Sequence, residues 1–474
     1  MSRRPNLSAL SQGGSLGLIL TGLALAGVAL LVSSGITSIP PSAALLLAFV
    51  LAIFVVVFVR TEIGLYILLL SMLLSPEIVV SGQGTIAERR EVVLRVDDLI
   101  ILIITFTWFA KTAVNKELSL FLRTPLNGAI VAYVVTHVIA TLWGAVTGNL
   151  KLLSGFFYIM KYVEYIFFYF MTVNNVKGRD QAQRLVATAF LTAAIVSLVA
   201  IGQIPSGHRV SAPFEGDVGE PNTLGGYLVF MTALALGCAL ETKTKQLRTA
   251  MCALCGLMVL PFLYTQSRAS YVALLPTLAV FLLLSRRRLV LAVALMLLVA
   301  VGSTMVPDVL VKRVTRTFEP EAGQPQARIG RLVFDPSTSQ RIQATQDAVE
   351  AWSRSPLLGY GVTGFRFLDA QYSRTLVETG AVGFVAFGFL LWSVWRMAWR
   401  SYNRLRDPDL KGLALGYLAG FVGLLFHGIG ANTFIIVRIM EPFWFFTAIA
   451  VLLPQFEESV TRQPVAEDLY KVRR

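Results

Sequence analysis

Charged residues are scarce in this chain. Only 15% of its 474 residues are Asp, Glu, Lys or Arg, whereas 55% are hydrophobic, and the mean hydropathy is +0.67. This composition excludes an ordinary soluble globular domain. Apolar runs such as 16–32, 43–59 and 289–306 are long enough to cross most or all of about 30 Å of hydrocarbon at about 1.5 Å per residue. The chain is therefore an integral membrane protein.

The sequence also lacks the short alternating segments that are typical of a transmembrane β-barrel. In lipid the backbone must satisfy its own hydrogen bonds, so the apolar runs are predicted to be helices. We predict an all-α fold, a polytopic membrane helix bundle of about 12–14 transmembrane helices, in one domain that covers residues 1–474. Two of the spans, 63–80 and 269–284, are short enough to be broken or re-entrant. The candidate spans are 16–33, 42–59, 63–80, 98–114, 128–147, 152–174, 182–203, 222–240, 249–265, 269–284, 289–305, 377–396, 411–430 and 436–453.

Cysteine and histidine are rare, with 3 residues of each type. All the cysteines lie in or beside apolar segments, so no disulfide framework is predicted. Cys252 and Cys255 form a CxxC pair, but a zinc site needs further ligands and a redox motif needs a soluble βαβ context. The histidines show no ligand spacing. We predict neither a metal nor a cofactor.

The distribution of basic residues predicts the orientation. Most of the 41 Lys and Arg residues fall in short connections on one side, including "SRRRL" at 285–289 and "WRMAWRSYNRLRD" at 395–407. By the positive-inside rule that side is cytoplasmic. Both termini are then cytoplasmic.

Three segments stand out on the predicted outer face. They are the loop 204–228, the turn "QSRAS" that carries Arg268, and a long loop at 306–376. Loops of this length are more often functional than idle. Within the long loop, "DPSTSQRIQATQDAVEAWSRSP" predicts an amphipathic helix. "GYGVTG" matches GxGxxG but follows no strand, which favours a tight turn over a dinucleotide site.

The stretch "FRFLDAQYSRTLVETGAVGF" follows that turn. If it is helical, Asp369 and Tyr372 share one face, because residues three and four apart are neighbours on a helix. The alternative interpretation pairs Asp369 with Arg366 and Glu378 with Arg374 as solvated ion pairs.

Two further charged pairs fall inside apolar spans. Lys161 and Glu164 are three residues apart, as are Arg438 and Glu441. A charge at the centre of a membrane helix costs about 2.5–3.5 kcal/mol on insertion scales. The two members of each pair are therefore expected to satisfy each other.

These segments together resemble the family of O-antigen ligases and Wzy-type polysaccharide polymerases of bacterial inner membranes. The resemblance rests on "HRVSAPFEGDVGEPNTLGGYL", "QSRAS", "SPLLGYGVTGF" and "DAQYSRTLVETGAVGF", in that order, and covers roughly residues 150–450. It implies transfer of an oligosaccharide from undecaprenyl diphosphate to a sugar hydroxyl at the periplasmic face, without a nucleotide sugar or a metal. The partners implied are the lipid-linked donor, the glycan acceptor and membrane lipids, with a flippase and a chain-length regulator as further candidates and no nucleic acid.

One position departs from the family pattern. In the ligases a histidine and an asparagine open the stretch that here reads "DAQYSRTLVETG", and Asp369 and Ala370 occupy those two places. The departure favours a polymerase of O-antigen, capsule or exopolysaccharide over a ligase that attaches glycan to lipid A core. The competing classes are a multispanning transporter, which predicts two related halves, and a non-catalytic scaffold for polysaccharide assembly.

A diphosphate leaving group requires cations. Arginine is permanently charged and binds phosphate oxygens through two N–H groups at once, so Arg268 is the first candidate to stabilise the departing group. The other candidates for substrate binding are Arg209, Arg341 and Arg366. An arginine at a membrane boundary also has a plainer interpretation, in which it extends towards lipid headgroups.

The attacking hydroxyl calls for a general base. Asp369 is the first candidate and Glu220 the second, because a positioned carboxylate can accept the proton. Asn222 is predicted either to bind substrate or to serve as the N-cap of the adjoining span, with Glu220 a solvated neighbour. Tyr372 is predicted either to contact sugar or to belong to the interfacial aromatic belt.

Overall fold

The computed structural model describes residues 51–75, 77–81, 92–114, 122–215, 219–305, 328–329, 332–333 and 336–471. Within them, eight helices are long and apolar enough to cross a membrane, and three shorter apolar helices accompany these. The predicted all-α polytopic bundle is confirmed. The candidate span 16–33 and the first half of 42–59 lie outside the described residues, whereas residues 51–59 are helical.

The helices, in chain order, are α1 (Thr61–Leu74), α2 (Val96–Val114), α3 (Asn127–Val146), α4 (Leu152–Asn175), α5 (Arg179–Gln203), α6 (Pro221–Glu241), α7 (Lys245–Tyr264), α8 (Arg268–Leu284), α9 (Arg288–Met305), α10 (Pro336–Arg354), α11 (Gln371–Arg404), α12 (Pro408–His427) and α13 (Val437–Lys471). A short 3-10 turn, Ile204–Ser206, follows α5. Two small antiparallel hairpins join β1 (Glu77–Ser81) to β2 (Val92–Arg95) and β3 (Arg328–Ile329) to β4 (Leu332–Val333).

The two short candidate spans, 63–80 and 269–284, differ in how far they are helical. The 63–80 segment ends as a helix at Leu74, because the chain turns extended at Ser75 and enters β1. The 269–284 segment is one continuous helix, α8, despite Pro276 within it. It is therefore neither broken nor re-entrant.

The centre of the bundle is the pair α6 and α12. Their contact uses glycine, since a Cβ on Gly237 would lie 2.4 Å from the carbonyl oxygen of Gly412, and one on Gly416 would lie 2.7 Å from that of Ala233. Small residues let membrane helices approach closely and gain van der Waals contact. Around this pair, α8 packs on α12, α7 on α6, α13 on α4 and α11 on α3.

The helix α11 is interrupted near its start. Gly380 has φ 65° and ψ −169°, which breaks the helix after Thr379. The "GYGVTG" segment forms turns that dock there, and the Tyr360 N–H donates to the Val377 carbonyl at 3.0 Å. A Cβ on Gly380 would meet the Leu357 carbonyl oxygen at 2.2 Å. Only glycine fits both the dihedral angles and the space.

Several chain connections meet at one end of the bundle. Residues 204–215 and 219–220 after α5, the turn Thr265–Ser267 between α7 and α8, and α10 with the start of α11 lie there, and we call it the site end. The connections 242–244, 285–287 and 405–407 lie at the opposite end.

Candidate active site

The turn between α7 and α8 presents Arg268. Ser267 is the N-cap of α8, and its side chain accepts from the Ser270 N–H. Arg268 is thus the first helical residue and projects at the site end. Its Nη1 donates to the Thr338 hydroxyl at 2.8 Å. This hydrogen bond joins α8 to α10.

The helix α10 carries a second arginine into the same place. It was predicted from its amphipathic pattern and is confirmed at Pro336–Arg354. Thr338 and Arg341 are three residues apart, so both side chains lie on one face. Arg341 Nε lies 3.5 Å from Asp369 Oδ2, and the two side chains are 29% and 47% exposed. Arg268, Arg341 and Asp369 consequently form one accessible group, the Arg268–Arg341–Asp369 site.

The prediction that Asp369 shares a helical face with Tyr372 is wrong. The helix α11 begins only at Gln371, and Ala370 is its N-cap with extended dihedral angles. The backbone is held in that position because the Asn432 side chain donates to the Leu368 carbonyl at 2.6 Å. Asp369 therefore lies on an extended stretch, which directs it towards α10.

Two predicted substrate-binding residues have other partners. Arg366 forms an ion pair with Asp347 of α10, so the predicted pairing of Arg366 with Asp369 is also wrong. The Tyr372 hydroxyl donates to the Leu425 carbonyl at 2.6 Å, which ties α11 to α12. Neither contact joins these residues to Arg268.

Arg209 supports the turn that carries Arg268. Its Nε donates to the Thr265 carbonyl at 3.0 Å and its Nη2 to the Gln266 carbonyl at 3.3 Å. These carbonyls follow α7, where a cation complements the negative end of the helix dipole. The Arg209 guanidinium lies beside the Arg268 turn, in a role that includes holding that turn.

A buried chain of hydrogen bonds lies beneath the turn. The Ser267 hydroxyl donates to Asn222 Oδ1 at 2.8 Å, and the Ser270 hydroxyl donates to Ser267 Oγ at 2.8 Å. His427 continues the chain, with Nε2 at 3.2 Å from Ser270 Oγ and Nδ1 at 2.7 Å from Thr433 Oγ1. Because the Ser270 hydroxyl donates its hydrogen to Ser267, its oxygen accepts from the His427 Nε2–H. His427 Nδ1 then accepts from the Thr433 hydroxyl. His427 therefore makes these hydrogen bonds in its neutral form. It was not identified from the sequence, because the histidines were considered only as metal ligands.

Glu220 and Glu215 occupy the loop before α6. Glu220, not Asn222, is the N-cap residue, and its Oε2 accepts from the Thr223 hydroxyl at 3.2 Å. Glu215 Oε2 accepts from the backbone N–H of Ala212 and of Glu220, at 3.1 Å and 2.9 Å. Burial raises the pKa of Glu215 to about 7, and the Arg438 guanidinium at 3.9 Å offsets part of that effect. Glu215 gives no local sequence signal, because its ion-pair partner Arg438 is distant in the sequence.

The Arg374–Glu378 pair is confirmed, but it is buried and not solvated. Arg374 Nε donates to Glu378 Oε1 at 3.1 Å, and the side chains are only 4% and 3% exposed. Glu378 Oε1 also accepts from the Thr363 N–H at 3.2 Å. The pair therefore fixes the glycine-rich turn against the start of α11.

The intramembrane charges are paired less simply than predicted. Lys161 Nζ lies 3.6 Å from Glu164 Oε2 but makes a closer contact with Asp98 of α2. Arg438 pairs with Glu215, whereas both Glu441 carboxylate oxygens are buried without a hydrogen bond to a described residue. Across the described ranges, no group of three or more His, Cys, Asp or Glu side chains is placed to hold a metal ion.

The comparison with protein families gave a match for this region. Residues 253–388 match the family model described as O-antigen ligase. This part of the chain is therefore similar to the O-antigen ligase family. A search of the curated proteins returned no match to the chain.

The matched range contains the whole of the Arg268–Arg341–Asp369 site, together with Arg366 and Tyr372. The supporting residues Arg209, Glu220 and Asn222 precede the matched range, although contacts from the loop and α6 reach its turn. The matched range, residues 253–388, is shorter than the segment 150–450 for which the sequence resemblance was noted. The helices α6, α12 and α13 lie outside the matched range.

Proposed function

We propose that the protein is a glycosyltransferase that moves an oligosaccharide from undecaprenyl diphosphate to a sugar hydroxyl, and that it polymerises O-antigen, capsule or exopolysaccharide repeats at the periplasmic face of the bacterial inner membrane. The observation that carries the proposal is the convergence of two arginines and one carboxylate from α8, α10 and the start of α11. Those are the groups that a diphosphate leaving group and an attacking hydroxyl require.

The proposed step exchanges one bond for another. The acceptor oxygen bonds to the anomeric carbon of the donor sugar while the bond from that carbon to the diphosphate oxygen breaks. The electron pair leaves with the lipid diphosphate, whose growing charge Arg268 and Arg341 stabilise. The proton of the acceptor hydroxyl passes to Asp369, for which 47% exposure leaves room.

Glu220 is the second candidate for the base. It is exposed and lies on the loop whose Arg209 supports the Arg268 turn. Its Oε2 already accepts a hydrogen bond from Thr223, so Asp369 is the better placed of the two. Arg209 and Asn222 act in this scheme by holding the Arg268 turn in position.

A ligase that attaches glycan to lipid A core is the second candidate function, and the description of the matched family favours it. Asp369 and Ala370 stand where the resemblance places histidine and asparagine, which favours the polymerase. The two functions differ only in the acceptor, so the product distinguishes them. A transporter has less support, because the family match concerns a glycan-transferring enzyme.

The test is reconstitution of the full chain with a lipid-linked oligosaccharide, followed by gel analysis of glycan length. We expect Arg268→Ala to lower the rate by about 100- to 1,000-fold, as does removal of a comparable charge-stabilising donor. Arg268→Lys should recover only part of the rate, because an ammonium cannot bind two phosphate oxygens in the planar arrangement. Asp369→Asn should lower the rate by about 100- to 10,000-fold.

Arg354→Ala is the matched control, because Arg354 also lies on α10 but is 71% exposed and pairs only with Glu350. It should extend glycan at the wild-type rate. Undiminished chain growth in Arg268→Ala would remove the proposed diphosphate contact. Product on lipid A core in place of longer carrier-linked glycan would replace the polymerase by the ligase.

A further inference from the structure

A cavity of about 400 Å³ lies at the opposite end of the bundle from the site. Its walls come from the first turns of α5 and α7, and its floor from α6, α12 and α13. Both wall helices run from this cavity to the site end, a distance of about 30 Å at about 1.5 Å per residue. The cavity is therefore separate from the Arg268–Arg341–Asp369 site.

The lining is apolar along its length and polar at one end. Buried side chains such as Leu413 and Leu453 form the floor, and Phe190 from α5 and Met251 from α7 line the walls. Arg179 and Asp409 lie at the polar end, where α5 and α12 begin. A volume of this size is within the range of about 300–1,000 Å³ that holds a small molecule.

The cavity opens on the membrane-facing side of the bundle. Ala187 and Leu247 line it from α5 and α7 and are both exposed on the surface. Only 17% of the α7 span is buried inside the protein. Since both walls are candidate spans, the medium at the opening is lipid hydrocarbon, and an acyl chain is the apolar molecule present there.

The polar end carries charges of both signs, because its lining includes Arg179 and Asp409, and two lysines lie on the chain beside it. Arg179 binds both oxygens of Asp407, at 3.0 Å and 3.2 Å, so that pair is neutral overall. Lys243 and Lys245 are exposed on the connection between α6 and α7 and make no ion pair with a described residue. Basic groups beside a membrane surface attract anionic lipids.

We propose that this cavity binds one acyl chain of an anionic phospholipid from the leaflet at the opposite end, with the headgroup phosphate near Lys243 and Lys245. The apolar floor holds the chain, and the polar end marks the depth of the headgroup. The site is independent of the transfer reaction, because no residue of the proposed active site contributes to it.

The test is native mass spectrometry of the full chain in detergent, with phosphatidylglycerol or phosphatidylcholine added in equal amounts. The wild type should retain phosphatidylglycerol several-fold more often than phosphatidylcholine. Ala187→Trp and Met251→Trp fill the cavity from either wall and should lower retention of phosphatidylglycerol several-fold. Lys243→Gln combined with Lys245→Gln should lower it while leaving retention of phosphatidylcholine unchanged.

Leu198→Trp is the matched control for the cavity variants. Leu198 lies eleven residues after Ala187, close to three helical turns, and is 58% exposed outside the cavity. Its lipid retention should equal that of the wild type. Equal retention by the wild type and both cavity variants would overturn the site, and equal retention of the two lipids by the wild type would overturn the headgroup contact. The lysine pair also keeps the test decisive if a tryptophan variant does not fold.

Discussion

The buried Arg374–Glu378 pair gives the most stringent test of the packing beside the site. Glu378→Gln keeps an oxygen that can accept from the Thr363 N–H but removes the charge, which leaves the Arg374 guanidinium buried beside a neutral group. Arg374→Met leaves the Glu378 carboxylate in the same position. Each single substitution thus leaves one buried charge without its partner, since the two side chains are only 4% and 3% exposed.

The expected cost follows from that burial. Removing one partner of a buried ion pair destabilises a protein by about 3–5 kcal/mol, because the remaining charge has lost its compensation. Replacing both partners removes both charges, so the double variant should cost much less than the sum of the singles. We expect a coupling energy of at least about 2 kcal/mol between the two sites.

The measurement is a double-mutant cycle on the free energy of unfolding, obtained by titrating SDS into mixed micelles. The matched control is Glu350 with Arg354, which has the same i, i+4 spacing and a contact of 2.7 Å but is 70% and 71% exposed. Solvent screens that pair, so its cycle should show little coupling. Additive effects of Arg374→Met and Glu378→Gln would refute the conclusion that the two buried charges compensate each other.

Three further outcomes are expected. Burial raises the pKa of the Glu215 carboxyl from 4.5 to about 7. The contribution of Glu215 to stability is therefore complete below about pH 4.5 and is lost as the pH rises through about 7. The melting temperature in detergent should fall over that window, and Glu215→Gln should make the fall smaller. Gly380→Ala should lower the melting temperature by several degrees, since its Cβ meets a carbonyl oxygen at 2.2 Å, whereas Gly388→Ala meets nothing within 4 Å and should not. His427→Phe removes two buried hydrogen bonds and should lower the free energy of unfolding by about 2–4 kcal/mol. Glycan extension should also be slower, because Ser270 no longer has its donor. Extension at the wild-type rate would show that the buried hydrogen bonds do not support the Arg268 turn.

Local features of the sequence predicted most of the fold. Apolar length identified α2 to α9 and α11 to α13, amphipathic spacing identified α10, and the missing strand before "GYGVTG" identified a turn. Each of these signals depends on neighbours within one or two helical turns, which is the range over which periodicity is informative. The same range explains the correct Arg374–Glu378 pair.

The site itself depends on contacts that spacing does not report. Asp369 pairs with Arg341, twenty-eight residues away, because α11 starts two residues later than Asp369 and leaves it on extended backbone. Glu215 pairs with Arg438 from the last helix. The arginine at 268 was found from its charge between apolar runs, but its partner Thr338 follows only from the docking of α10.

The break at Gly380 also sets how this protein matches its bilayer. A continuous helix of 34 residues would measure about 51 Å, well beyond a hydrocarbon layer of about 30 Å. The interruption divides it, so that the part from residue 381 to 404, about 36 Å long, is the part whose length must agree with lipid thickness. Hydrophobic mismatch is then accommodated by the tilt of residues 381–404. The first turns of α11 are held by backbone hydrogen bonds from Tyr360 and Gly361, so Asp369 stays at the same depth as the glycine-rich turn.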